Sequence, residues 1–466
     1  MAPRDLHYMD LLDVAKRVQN KELSPVEVTE AQLKRIGSKD GKLHSYATVT
    51  GDLAIKQAKK AEAEIAKGRI RGPLHGVPIA VKDLCYTKGI VTAAGTKIYG
   101  RFKPKFDATV VERFREAGAI LLGKLQMTEG AYAEHHPEVA VPQNPWDANR
   151  WSGASSSGSG VATAAGLCYA SLGSDTGGSI RFPSAANGVT GLKPTWGRVS
   201  RYGVFDLAPT LDHVGPMCRS AADTGAVLGV IAGADANDPT AVPLPVPNYL
   251  AGLERGIKGL RIGIDSRYNS RGVDEATQKT LAAALEVVKG LGAEIRKVTF
   301  PEPRKVVEEW VPHCGVETAY AHKDTYPSKQ KDYGPALAGL IDVGREVTGL
   351  QYQEILLHRH EFAGKVRALF EDIDLLMIPA QVMASPTLDD MATLGEDPEA
   401  VIKLLRFTAP FDLTGSPAIT LPAGFTGKGT PIAFQFVGRH FEEDLLVRAG
   451  HAFQRETDWH RQHPKV

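Results

Sequence analysis

The chain has only four cysteines, Cys85, Cys168, Cys218 and Cys314, scattered without a CxxC pair. Neither a zinc knuckle nor a disulfide framework follows from that usage, and a reducing, cytoplasmic setting suits it. Charge of one sign is also missing. Lysine plus arginine (55) balance aspartate plus glutamate (54), with no long run of either. A nucleic-acid or anionic-membrane surface is therefore not expected. No apolar stretch approaches the roughly 20 residues of a membrane span, and Met1-Ala-Pro-Arg-Asp-Leu-His lacks the basic-then-apolar pattern of a signal peptide. Several catalytic signatures are absent too. There is no GxSxG nucleophile elbow, no HExxH, no Gly-x-Gly-x-x-Gly and no Walker A loop. His135-His136 and His358-Arg-His360 lack metal spacing and read as solvated or core side chains, so no metal and no cofactor is expected.

What remains is a 466-residue chain, 43% hydrophobic and 23% charged, rich enough in apolar residues for a large core. Leu11, Leu12, Val14, Ala15 and Val18 recur at helical spacing, and Ser24-Pro25-Val26-Glu27 caps a second helix, so residues 1–70 form a helical N-terminal region. From Gly72 the texture changes to a short β-rich apolar run that ends in Lys82-Asp83. Residues 108–117 read as a helix closed by Gly118, 119–122 as a buried strand and 123–129 as a loop. This alternation predicts an α/β protein whose core occupies 71–466. The Gly/Ser-rich stretch 153–160 has the composition of a linker, yet it leads straight into a small-residue helix from Val161 and a buried strand end at 171–173. The better linker candidate is 235–249, with Pro239, Pro243, Pro245 and Pro247. A strand is expected at 259–264, a helix at 275–288, helical structure over 345–370, and late strands at 375–378, 418–421 and 432–437.

Three polar features carry chemistry together that none carries alone. A serine nucleophile needs a base to take its proton and donors to hold the oxyanion that forms when it attacks a carbonyl. In Thr176-Gly177-Gly178-Ser179 the two glycines clear side chains from the substrate's path and let consecutive N–H groups converge. Taken singly, such a triplet is usually an ordinary turn. With histidine-based arrangements lacking, Lys82 is the available base. A free lysine, of pKa about 10.4, is protonated at neutral pH, but burial lowers that value, and the apolar Ile79-Ala80-Val81 before Lys82 fits burial. Most Lys-Asp neighbours are surface ion pairs. A hydroxyl both donates and accepts, so Ser155, 24 residues before Ser179, can pass a proton between nucleophile and amine.

Lys82-Asp83, Gly153-Ala-Ser-Ser-Ser-Gly-Ser159, Gly173-Ser-Asp-Thr-Gly-Gly-Ser-Ile-Arg181 and Gly191-Leu-Lys-Pro-Thr-Trp-Gly-Arg-Val-Ser200, in that order and spacing, resemble the amidase signature family. The resemblance is strongest over 70–235 and extends to Ala409-Pro-Phe-Asp-Leu-Thr-Gly-Ser-Pro-Ala-Ile-Thr-Leu-Pro422. It implies an α/β/α sandwich around a large mixed β-sheet. It assigns Ser179 as nucleophile, Ser155 as the bridging serine after a cis peptide, Lys82 as base, and the N–H groups of Thr176, Gly177, Gly178 and Ser179 as oxyanion hole. Ser156, Asp175 and Arg181 would support these groups, and Met127, Thr128, Phe407 and Phe411 would wall the substrate pocket. Ala154 and Ser157 stand where relatives mostly have glycine.

The reaction implied is hydrolysis of a small or aryl amide, a carbamate (urethane) or an ester through an acyl-enzyme. The expected partners are that small molecule and, in a homodimer, a second copy of the chain. The alternative is the glutaminase subunit of an aminoacyl-tRNA amidotransferase. Against it, Val401-Ile-Lys-Leu-Leu-Arg-Phe407 lacks the acid, and the Leu337–Ile341 region the arginine, that would hold glutamine's α-amino and carboxylate groups.

Overall fold

The computed structural model describes residues 6–466. Its centre is one mixed sheet of eleven strands: β1 Tyr46–Val49, β2 Pro78–Lys82, β3 Ile120–Leu125, β4 Ala170–Asp175, β5 Thr190–Lys193, β6 His213–Cys218, β7 Arg261–Ile264, β8 Glu294–Lys297, β9 Leu375–Pro379, β10 Ala418–Phe425 and β11 Pro431–Gly438. The order across the sheet is β1-β3-β2-β4-β6-β5-β10-β11-β9-β7-β8. β3, β2 and β4 run parallel, as do β9, β7 and β8. The strands between β4 and β9 pair antiparallel. β2, β3 and β4 are buried along their whole length, as expected of central strands covered on both faces. The α/β class and the large mixed sheet agree with the sequence reading.

Local differences have simple causes. The N-terminal region contains the helices Leu11–Gln19, Pro25–Leu43 and Gly51–Ala66, but it also supplies β1. This four-residue strand pairs antiparallel with β3 at the sheet edge and is too short to announce itself by alternation. The helical stretch 345–370 is split: one helix ends at Glu346, and Thr348 with Gln351 makes a capping box that starts the next, Gly349–Leu369. The Gly/Ser run is no linker. The helix Ser157–Ala164 begins inside it and all eight of its residues are buried. The proline-rich 235–249 segment has no helix or strand.

The sheet geometry sets the site. In the parallel register Val81 lies beside Leu172, so the C-terminal ends of β2 and β4 bring Lys82 and the Ser174-Asp175 pair together. Ligands in open α/β sheets gather at such strand ends.

Candidate active site

Lys82 is fully buried, and its Nζ contacts three hydroxyls: Ser155 Oγ at 2.6 Å, Ser174 Oγ at 2.8 Å and Ser156 Oγ at 3.0 Å. Among the described residues no carboxylate lies within 4 Å of it, so the surface ion pair with Asp83 does not form. Asp83 instead meets Lys124 at 3.2 Å, and both are buried. Burial, only partly opposed by Asp212, Cys85 and Asp175, lowers the Lys82 pKa to about 7.

The protons around this amine can be counted. Ser156 Oγ donates to the Ser174 carbonyl at 3.1 Å and accepts the Ser174 N–H at 3.1 Å. Its hydrogen is therefore committed, and toward Lys82 it can only accept. A neutral amine has two N–H bonds and one lone pair, so the lone pair must take the hydrogen of Ser155 or Ser174.

Ser179 lies at the start of the turn after β4. It is 7% exposed, whereas Lys82 and Ser155 are 0% exposed. Among the described residues its hydroxyl has no hydrogen-bond partner. The backbone N–H groups of Thr176, Gly177, Gly178 and Ser179 likewise have no acceptor among the described residues. The next two, of Ile180 and Arg181, are taken by Asp175 Oδ2 at 2.9 and 3.3 Å. Two aromatic rings line the glycines. A Cβ on Gly177 would stand 2.6 Å from Trp310 Cζ2, and one on Gly178, whose φ is +140°, would overlap the Phe182 ring.

The turn is braced from behind. Arg181 is fully buried; its Nε and Nη2 reach Asp175 at 3.0 and 2.8 Å, Nη2 reaches Asp412 Oδ2 at 2.6 Å, and Nη1 donates to the Thr408 carbonyl at 2.8 Å. The guanidinium holds the Asp175 carboxyl far below the ordinary range although burial opposes this. Thr176 Oγ1 donates to Asp212 at 2.6 Å, and the burial of Asp212 raises its pKa to about 7.

Three expectations are corrected. The bond entering Ser155 is trans; among the described residues the one cis peptide is Tyr326–Pro327. The sharp bend there comes from Gly153, whose φ of +93° only glycine holds easily and whose Cβ would overlap Pro183. Phe407 and Phe411 are core side chains, both 0% exposed, packed against Tyr268 and Phe300 respectively. Met127 and Thr128 are also fully buried, with Thr128 Oγ1 turned to the Tyr132 carbonyl. None of the four is more than 1% exposed. A cleft of about 720 Å³ lined by Tyr268, Phe300, Arg304, Lys403 and Arg406 contains none of Lys82, Ser155 or Ser179.

Several site residues escaped the sequence reading. Ser174, Asp212 and Trp310 are in direct contact with the reacting loops. His135 Nε2 lies 3.0 Å from Ser157 Oγ; burial, with a smaller push from the Lys82 charge, lowers its pKa to about 4. In Leu207-Ala-Pro-Thr-Leu-Asp-His-Val214 the acid in a mostly apolar stretch is the one local signal for Asp212, since buried carboxylates need a purpose. Among the described residues there is no group of three or more His, Cys, Asp or Glu that would suit a metal ion, and no helix is long and apolar enough to cross a membrane.

The amidase family model matches residues 27–447. This chain belongs to the amidase family. It is 50% identical over 458 residues to the AmiD protein of Mycobacterium tuberculosis strain H37Rv, covering 98% of this chain and 96% of that one. It is 36% identical over 488 residues to a glutamyl-tRNA(Gln) amidotransferase subunit of Carboxydothermus hydrogenoformans, covering 99% and 100%. Among solved structures, 6-aminohexanoate cyclic dimer hydrolase superposes with a TM-score of 0.89 at 26% identity, covering 98% and 99%. As a member of the amidase family the chain is a hydrolase of amide-type C–N bonds, and its fold is that of the amidase signature structures.

Proposed function

We propose that Ser179 is the nucleophile of this amidase, Ser155 the proton bridge and Lys82 the base. The observation that carries this reading is a fully buried amine, of pKa about 7, touching three hydroxyls and, among the described residues, no carboxylate. Neutral Lys82 accepts the Ser155 proton as Ser155 accepts that of Ser179, and Ser179 Oγ bonds to the carbonyl carbon. The free N–H groups of residues 176–179 receive the oxyanion. As the tetrahedral species collapses, the C–N bond breaks and the proton returns through Ser155 to the leaving amine. Water repeats the sequence on the acyl-enzyme and releases the acid. Catalytic hydrogen bonds often tighten only with substrate present, which accommodates the unpartnered Ser179 hydroxyl.

The favoured substrates are small or aryl amides, carbamates and esters, cleaved without partner chains. The Trp310 and Phe182 rings beside the glycines support an aryl group. A glutaminase role in a tRNA-linked complex has the 36% relative in its favour. It is disfavoured because Leu405 and its neighbours offer no acid to glutamine's α-amino group. The four thiols are free and buried, which supports a cytoplasmic setting. Exposed Leu350 and Leu357 on one helix support a homodimer. The test is a panel of anilides, carbamates, esters and glutamine with the purified chain and its Ser179→Ala variant. Turnover of an anilide or carbamate, lost in S179A, is expected. Ammonia from glutamine as the sole reaction, or wild-type turnover by S179A, would overturn the reading.

A further inference from the structure

Two sequence motifs contribute nothing to the scheme above, the one from Gly191 to Ser200 and the one from Ala409 to Pro422. Each carries a fully buried ionisable side chain, Lys193 at the end of β5 and Asp412 in the helix Ala409–Leu413. The fold brings both to the rear of Arg181. Asp412 Oδ2 takes Arg181 Nη2, the same nitrogen that reaches Asp175. Asp412 Oδ1 has no hydrogen-bond donor among the described residues and lies 3.5 Å from His213 Nδ1, which is directed to the Leu211 carbonyl at 2.7 Å. Among the described residues Lys193 Nζ has a single polar partner, the Pro194 carbonyl at 3.3 Å. Among the described residues no carboxylate lies within 4 Å of that amine, and Asp412 is the charge that acts on it most strongly.

Stability does not explain this arrangement. A buried ion costs several kcal/mol before compensation, and one long bond to a carbonyl compensates little. The charges do balance. Asp175 and Asp412 oppose Arg181 and Lys193, and a proton passed from Lys193 to Asp412 leaves the total at zero. Without Lys193, two carboxylates flank one guanidinium. The negative charge left uncompensated drives Asp175 and Asp412 apart across the one guanidinium nitrogen they share, Arg181 Nη2, and Asp175 moves. Asp175 Oδ2 is what fixes the N–H groups of Ile180 and Arg181, so any shift of Asp175 passes to the turn bearing Ser179.

We propose that Lys193 and Asp412 are positioning residues, which complete with Arg181 and Asp175 a charge-balanced buried frame that sets the nucleophile turn. This rests on Ser179 being the nucleophile. The test is steady-state kinetics at pH 8 on one anilide or ester for wild type, Lys193→Met, Asp412→Asn and the double variant, with S179A as control. Each single variant should lose about ten- to a hundredfold in kcat, the scale of an ångström-sized misplacement, with KM little changed. The double variant removes one charge of each sign and leaves an amide oxygen for Arg181. It should recover to within about fivefold of wild type, a non-additivity reserved for coupled neighbours. If K193M does not fold, Lys193→Gln keeps a donor for Pro194 and carries the same expectation. A double variant that falls by the product of the singles, or a folded Lys193 variant with wild-type kcat, overturns the frame. Wild-type turnover by S179A instead overturns the nucleophile assignment.

Discussion

Trp310 Nε1 donates to the carbonyl of Thr176 at 2.9 Å, while the edge of the same indole lies against the Cα of Gly177. One side chain thus fixes both the height and the tilt of the turn whose N–H groups are free. The consequence is testable at Gly177. Gly177→Ala puts a methyl group 2.6 Å from Trp310 Cζ2, so the ring or the turn must move. Loss of one aligned oxyanion donor costs roughly 10²–10³ in kcat, and that is the expected range. Binding of a substrate analogue should change far less than kcat.

The acid limb of the rate profile reports Lys82. With its pKa lowered to about 7, kcat/KM should rise tenfold per pH unit below 7 and level off above it. A limb still rising at pH 9 would return the base to the range of free lysine. Asp212, also raised to about 7, bears on the same window and its charge holds the Lys82 pKa up, so Asp212→Asn should leave a single acid limb, moved below pH 7.

Stability gives an independent reading of the same amine. The folded pKa lies below the unfolded value, so between about pH 7 and 10.5 the unfolded chain binds the extra proton and stability rises with pH. Below 7 both states are protonated and the cost of burying the charge is fully present. Lys82→Met removes that dependence. The melting temperature of the variant relative to wild type should be highest at or below pH 7 and fall steadily toward pH 10. A constant difference would mean that Lys82 is neutral in both states or charged in both.

Arg181→Met leaves Asp175 and Asp412 buried without the guanidinium that bonds to both. Breaking a buried pair in this way costs about 3–5 kcal/mol, and thermal or urea unfolding should show that loss at pH 7. Asp175 sits far below the ordinary range because of Arg181, so the penalty should shrink as the pH is lowered and the freed carboxylates take up protons.

What the sequence revealed of this site follows from locality. Lys82 ends an apolar run, and Ser155 and Ser179 each sit in a serine- or glycine-rich cluster, so each was visible within a few residues. The partners that position them were not. Asp412 reaches Arg181 across 231 positions and Trp310 reaches Thr176 across 134, and no local pattern encodes either meeting. Phe407 and Phe411 had the right composition for a pocket wall or for core. Packing against Tyr268 and Phe300, more than a hundred residues away in sequence, decided for core. The sheet was legible where a run of apolar residues makes the strand, as in β2 and β9 to β11, and illegible at β5 and β6, which are buried but interrupted by Gly, Lys, His and Pro, and at β1, whose four residues alternate between half-buried and exposed.

Ser174 poses the sharpest question about the proton path, because it competes with Ser155 for the Lys82 lone pair at 2.8 against 2.6 Å. If Ser155 is the bridge, Ser155→Ala should cost about 10²–10⁴ in kcat, the range of a lost proton transfer. Ser174 then serves mainly as an acceptor for the ammonium, and hydrogen bonds to a charged form favour that form. Ser174→Ala should therefore lower the Lys82 pKa further and move the acid limb of kcat/KM below pH 7, with a plateau within about tenfold of wild type. If Ser174 carries the proton, the two outcomes exchange: S174A loses the plateau and S155A keeps it. Profiles of both variants on one ester, measured from pH 5 to 10, decide between the two hydroxyls.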